Sequence, residues 1–221
     1  EDPKENNALF RAANSLHIQT RPSVIERRLL IKRGDRFTVR LIEETERVLL
    51  KSGFLYSVRI RPIAYRDGVV DLEVATRDTW TLYPSISVSR TGGQNKSEFS
   101  LNEVNLLGTG SEVNLGYFKD FDRSGTSFDF ANDNAFGNWT ALRFSFAQNS
   151  DGSKEAASIV RPFHALDARW TAGLRAFSDD RIDPVYNAGN QVGEYRVRQR
   201  QAAAFGGWSA GLVDGWVHRY T

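Results

Sequence analysis

Hydrophobic and polar positions follow two rhythms along this chain. Up to Trp80, apolar residues recur at helical spacing in some stretches and at strand spacing in others. Beyond it they recur at every second position. In the first part, Ala8 to Ile18 predicts a strand. Ser23, after Pro22, predicts the cap of a short helix carrying Val24, Ile25, Leu29 and Leu30. Gly34-Asp35 ends that helix. Thr38 is placed to cap a second helix, with Leu41, Ile42, Val48 and Leu49 along one side and Gly53 at its C′ position. Tyr56, Val58, Ile60 and then Ile63 predict a strand. Asp67-Gly68 is a hairpin turn signal, and Val70, Leu72 and Val74 alternate on the return. The order is β-α-α-β-β in about 70 residues.

The second part reads as antiparallel strands throughout. Ile86 and Val88 alternate with serines; Val113, Leu115 and Tyr117 with Glu112, Asn114 and Gly116. Phe128 and Phe130 flank Asp129. Leu142, Phe144 and Phe146 flank Arg143 and Ser145, and Trp170, Ala172 and Leu174 flank Thr171 and Gly173. Turn signals stand between them: Gly92-Gly93, Gly108-Thr109-Gly110, Arg123-Ser124-Gly125, Asp133 to Asn138, Ser150-Asp151-Gly152 and Asp179 to Gly189. The rhythm predicts about eight strands and the start of a ninth near Trp216. One face of these strands is aromatic and aliphatic, the other polar. A soluble sandwich turns the apolar face inward; a membrane barrel turns it toward lipid. Stretches such as Ser111 to Phe121 and Ala168 to Ser178 are about as long as a tilted spanning strand, and aromatics gather near strand ends, as at membrane interfaces.

Composition narrows the classes. The 221 residues hold 29 Lys+Arg against 27 Asp+Glu, a net charge of +2, which speaks against a nucleic-acid partner. The absence of Cys excludes a disulfide scaffold, a zinc finger and a thiol nucleophile. The absence of Met leads to the expectation of a chain processed or cut at its N-terminus. No apolar run is long enough for a transmembrane helix.

Several segments in fixed order resemble the BamA/TamA-like outer-membrane assembly superfamily. Thr20-Arg21-Pro22-Ser23-Val24-Ile25 leads into Leu29-Leu30-Ile31, and Lys32-Arg33-Gly34-Asp35 separates two helices. Leu49-Leu50-Lys51-Ser52-Gly53-Phe54-Leu55 and the hairpin Asp67-Gly68-Val69-Val70-Asp71-Leu72 follow. Together they are similar to a POTRA domain. Thr76-Arg77-Asp78-Thr79-Trp80-Thr81-Leu82 is similar to the passage from POTRA to barrel, and Glu103-Val104-Asn105-Leu106-Leu107-Gly108-Thr109-Gly110 resembles the first periplasmic turn.

The resemblance implies a linker over 1–7, a periplasmic α+β POTRA-like domain over 8–80, and the N-terminal part of an outer-membrane β-barrel over 81–221. The family's barrel has sixteen strands, so the chain is expected to be a fragment rather than a small closed barrel. Its implied role is non-enzymatic assembly, insertion or translocation of proteins at the bacterial outer membrane. Partners would be outer-membrane lipid, unfolded outer-membrane or secreted clients, and other assembly-machinery subunits. A client would add as a strand to the edge carrying Tyr56, Val58 and Ile60. Arg59, Arg61 and Pro62 on that same strand are the usual protection of an edge. The first barrel strand, with Leu82, Pro84, Ile86 and Val88, would form a weak seam. A barrel that merely anchors another periplasmic or secreted domain is the alternative.

Other candidates are weighed on local context. Gly207-Trp208-Ser209-Ala210-Gly211 matches the G-x-S-x-G pattern, but a nucleophile elbow needs a helix after the serine and well-separated Asp and His partners. Asp214 and His218 lie close behind, so the segment reads as a turn of small residues; an esterase using Ser209 is the enzymatic alternative. His17, His164 and His218 have no metal-ligand spacing, and Gly108-Thr109-Gly110 lacks a dinucleotide loop's third glycine and helix, so no cofactor or metal is expected. Asn95 and Asn138 head glycosylation sequons and read as turn residues. Arg27, Arg28, Lys32, Arg33, Arg36 and Arg40 read as a solvated face paired with Glu26, Glu43 and Glu44. Arg143, Arg169 and Arg175 are expected to face a barrel lumen, because on a lipid face each would cost about 2–4 kcal/mol. Arg161 must also avoid midplane lipid. Glu112 and Asp129 are their candidate partners.

Overall fold

A computed structural model describes residues 18–221. The predicted linker over 1–7 and nearly all of the predicted strand at Ala8 to Ile18 lie outside the described residues. The chain divides into two compact units. The first ends at Thr81 and takes in Asn105–Gly110; the second comprises Leu82–Val104 and Ser111–Thr221.

The first unit opens with helix α1, Pro22–Glu26, which is shorter than predicted. Pro22 takes the first helical position, where its missing N–H is no loss, so the cap moves back to Arg21 and the Ser23 side chain caps nothing. Val24 and Ile25 are buried, whereas Leu29 and Leu30 fall beyond the helix. Helix α2, Val39–Leu50, starts as the sequence predicts, with the Thr38 side chain accepting from the Leu41 N–H at 3.4 Å. Strands β1 (Leu55–Arg66) and β2 (Val69–Asp78) form an antiparallel pair. Their two-residue turn places Asp67 and Gly68 at φ 50° and 80°, the left-handed pair that a type I′ hairpin needs. A register shift between Pro62 and Ala64 explains why Ile63 leaves the alternation of Tyr56, Val58 and Ile60.

The core of this unit is Val24, Ile25, Ile42, Leu49, Phe54, Leu55 and Ile60. Full burial of each such side chain contributes about 1.5–3 kcal/mol. Arg28 belongs here too and not to a solvated face. It is 6 % exposed, its Nη1 and Nη2 donate to the carbonyls of Val24 and Gly110, and its guanidinium lies 5.2 Å from the Phe54 ring centroid. The predicted pairing of the basic run holds at Arg40, which meets Glu44 at 3.3 Å. The segment Asn105–Gly110 is held by side-chain bonds: Asn105 donates to the Thr20 hydroxyl at 2.8 Å and accepts from the Gly110 N–H at 2.7 Å. Gly108 is required there. Its φ is 70°, and a Cβ would sit 2.3 Å from the Gln19 carbonyl oxygen.

The second unit is one nine-stranded antiparallel sheet in sequence order. Its strands are β3 (Leu82–Thr91), β4 (Gln94–Glu103), β5 (Ser111–Lys119), β6 (Ser124–Asn132), β7 (Ala141–Asn149), β8 (Gly152–Arg161), β9 (Trp170–Asn187), β10 (Asn190–Val213) and β11 (Trp216–Tyr220). Two predicted turns prove to be strand. Asp179 to Gly189 is mostly the continuation of β9, because its backbone stays paired with β10 as far as Asn187; along one face Arg181 meets Asp179 at 2.5 Å and Asp183 at 2.9 Å. Gly207 to Gly211 lies inside β10, where Gly207 and Trp208 pair with Thr171 and Trp170.

Candidate membrane-facing surface

Register decides which side chains share a face of the sheet, since successive residues of a strand point to opposite sides. One row runs Val113, Phe130, Phe144, Ala157, Ala176 and Ala202; the next runs Leu101, Leu115, Phe128 and Phe146. Ile86, Phe99 and Tyr117 form a third row, and Leu142, Ile159, Leu174 and Ala204 a fourth. All of these lie on one face. The other carries Asn102, Asn114, Asp129 and Ser145 in one row and Glu112, Arg143, Ser158 and Arg175 in another.

The apolar face is uncovered. Ile86 and Val88 are each 76 % exposed, Leu174 59 % and Trp208 60 %. Phe99, Leu115, Phe128, Phe144 and Ile159 are also exposed. The buried apolar residues that this unit contributes are Ala141 and Ala168. Soluble monomers rarely expose a contiguous apolar face of this kind; such a face marks a surface for membrane or another partner. No helix among the described residues is long and apolar enough to cross a membrane, which leaves crossing by strands untouched.

Along β9 and β10 the apolar band has visible limits. At one end Trp170 pairs with Trp208, and Trp208 stacks on Tyr220 at 5.1 Å. At the other, Ala176 and Ala202 give way to Ser178 and Arg200, then to Asp180 and Arg198. Between the limits lie six residue steps, roughly 20 Å of strand. Past the band the hairpin is charged on both faces. Asp180 takes Arg196 at 2.6 Å and Arg198 at 3.2 Å on one, while Arg123 bridges Asp183 at 3.2 Å and Asp151 at 3.4 Å on the other.

The expected lumen residues separate. Arg143 and Arg175 stand on the polar face, one register row together. Arg169 precedes β9 rather than lying within it, and its carbonyl accepts from the Ser209 N–H at 2.8 Å. The candidate partners are otherwise engaged. Asp129 takes the Ser145 hydroxyl and the Asn114 amide, Glu112 takes the Asn102 amide, and Arg143 pairs with Asp133 at 2.6 Å. Those acids are short of the arginines because they sit on different strands or rows; Asp133 is in the adjoining turn and within reach.

Among the described residues strand β3 pairs with β4 alone and forms one edge of the sheet, with Leu82, Pro84, Ile86 and Val88 on the apolar face. Strand β1, with Tyr56, Val58 and Ile60, is paired with β2 among the described residues. Its side away from β2 is partly closed. The Ile60 N–H donates to the Glu46 carboxylate of α2 at 2.6 Å, and Pro62, two residues on, has no N–H. No sequence period signals Glu46, because its partner lies fourteen residues away in another element.

Ser209 is buried mid-strand, and its hydroxyl accepts from the Gly211 N–H at 3.0 Å. β10 continues to Val213 with no helix after the serine, so the nucleophile-elbow arrangement is not formed. His164 lies in the β8–β9 connection, stacked on Trp139 at 4.8 Å and 5°. Burial, helped by the nearby Arg161 charge, lowers its pKa to about 4, so it is neutral at pH 7. His17 is outside the described residues.

No family model matches the sequence, and no curated protein matches it. Among solved structures the chain is similar to BamA from Haemophilus ducreyi lacking POTRA domains 1–3. The match covers 86 % of this chain at 14 % identity with a TM-score of 0.57. It spans 42 % of that protein's chain, less than half its length. At this identity the likeness shows the fold: an antiparallel sheet of BamA-like barrel type.

Proposed function

We propose that this chain is part of an outer-membrane β-barrel protein with a periplasmic POTRA-type module, acting in assembly, insertion or translocation of proteins at that membrane. The observation that carries the membrane reading is the uncovered apolar face of β3–β11 opposite a polar, charged face. Lipid is the partner that this face fits, and the polar face fits a water-filled lumen. The helix pair and hairpin of the first unit support the POTRA reading through their order. No nucleotide or metal enters this scheme; energy would come from client folding and burial of client apolar surface. The scheme is non-enzymatic, and the run of β10 past Ser209 to Val213 speaks against the esterase alternative.

One observation favours the anchor alternative. The Glu46 carboxylate on the Ile60 N–H and the missing N–H of Pro62 obstruct strand addition at β1. Under the assembly reading, a client must displace Glu46 or enter elsewhere.

Two measurements test the proposal. The protein should need detergent or bilayer to remain monomeric and folded; a second unit folded and monomeric in plain buffer overturns the barrel reading. Photo-crosslinkers at Tyr56 and Val58 should capture unfolded outer-membrane clients; none captured, with the barrel inserted, favours the anchor.

A further inference from the structure

Arg161 is a cation on the wrong face for a lumen residue. Its register partner is Ala172, so it points the same way as Ile159, Leu174 and Trp170, onto the apolar face. Its guanidinium lies 3.9 Å from the Trp170 ring centroid. Nη1 donates to the Trp170 carbonyl at 2.8 Å and Nε to the Asn138 carbonyl at 3.3 Å. Nη2 has no hydrogen-bond acceptor among the described residues, and no carboxylate there lies within ion-pair distance of Arg161. The neighbouring His164 is neutral and offsets nothing.

The surroundings leave room beside this charge. Arg161, Ala172 and Gly206 form one register row, so the floor next to the guanidinium is a methyl group and a bare backbone. Trp170 and Trp208 wall it on the side toward the strand ends, and Leu174 on the other. This is the depth at which an aromatic rim meets phosphate groups in a bilayer. A guanidinium with a free N–H edge and one face covered by indole suits a phosphate oxygen, which accepts short charge-assisted bonds.

We propose that Arg161 and Trp170 form a headgroup site for a membrane glycerophospholipid, whose phosphate diester accepts from Nη2 while its glycerol and first methylenes lie over Ala172 and Gly206. This rests on the membrane-barrel reading above. It adds a specific lipid site to an otherwise generic apolar face.

The test is lipid retention. The protein is reconstituted in nanodiscs of phosphatidylethanolamine and phosphatidylglycerol, extracted into mild detergent and weighed intact by native mass spectrometry. Wild type should retain a phospholipid, and R161Q should lower that retention about tenfold, the scale of one lost charge-assisted bond. A172L leaves the charge in place but fills the floor, and should lower retention as well. Retention unchanged in both variants overturns the site, as does equal retention of a phosphate-free diacylglycerol glycolipid. Quenching of tryptophan fluorescence by brominated acyl chains reports insertion separately. Quenching with retention indifferent to R161Q rejects the headgroup site alone; absence of quenching rejects the membrane reading and the site with it.

Discussion

The two units treat apolar side chains in opposite ways. In the first, Leu49 and Phe54 are all but inaccessible, and two short helices lie with a hairpin around them. In the second, residues as large as Phe144, Trp170 and Leu174 stand open on one face of a single sheet, and the residues tucked away are small or polar, such as Thr171, Ser209 and Asp179. A fold that buries its apolar residues is made for water. A sheet that displays them needs another apolar phase. The difference lies in which side chains each unit hides, and the membrane-barrel proposal rests on it.

That contrast can be broken at either side. The largest effect is expected from Phe54→Ala. Emptying a fully buried aromatic site should cost about 3–5 kcal/mol, read as a shift in the unfolding midpoint of the first unit. A cost near zero would mean that this core does not hold the unit together. Leu115→Arg probes the other side. On a lipid-facing position it should lower barrel stability by about 2–4 kcal/mol in bilayer refolding titrations. On a water-facing surface it would change little, and the comparison between units would fail.

Glu46→Ala comes next. It leaves the Ile60 N–H without its acceptor, at a cost of about 1.5–3 kcal/mol. It should also raise client crosslinking from Tyr56 and Val58 if the carboxylate guards that edge. Thr38→Ala removes the cap of α2 and should cost about 1 kcal/mol, visible as helix loss by circular dichroism with the second unit unaffected.

The smallest effect is a pH dependence. The His164 pKa is lowered in the folded state, so unfolded chain binds the extra proton between about 4 and the ordinary value of 6.5. The contribution is fully present above pH 6.5 and is lost as pH falls toward 4. Fluorescence of Trp139 in the folded protein, stacked on that ring, should change near pH 4 in wild type and not in His164→Asn.

The sequence alone carried the coarse plan because its signals are local. Period-2 alternation marked the strands around Leu115, Phe128 and Phe144, Asp67-Gly68 marked a hairpin, and Thr38 marked a helix start. Each depends on neighbours within a few residues. It misplaced elements where the same residues serve two purposes. Asp179 to Gly189 carries turn-forming residues, yet its backbone stays in register with β10 as far as Asn187. Gly207 to Gly211 has the small residues of a turn, yet Gly207 and Trp208 pair with β9 and Ser209 with β11.

Tertiary structure decided what depends on register and on contacts distant in sequence. It placed Arg143 and Arg175 on the polar face and Arg161 on the apolar one, though all three read alike as strand arginines. It drew Arg28 into the first unit's core, where two carbonyls and the Phe54 ring replace water. It set Glu46 on the Ile60 N–H. A charged side chain's role is fixed by which groups reach it within a few ångströms, and one residue of register moves it to the opposite face. Alternation determines that two faces exist; pairing determines which residues stand together on each.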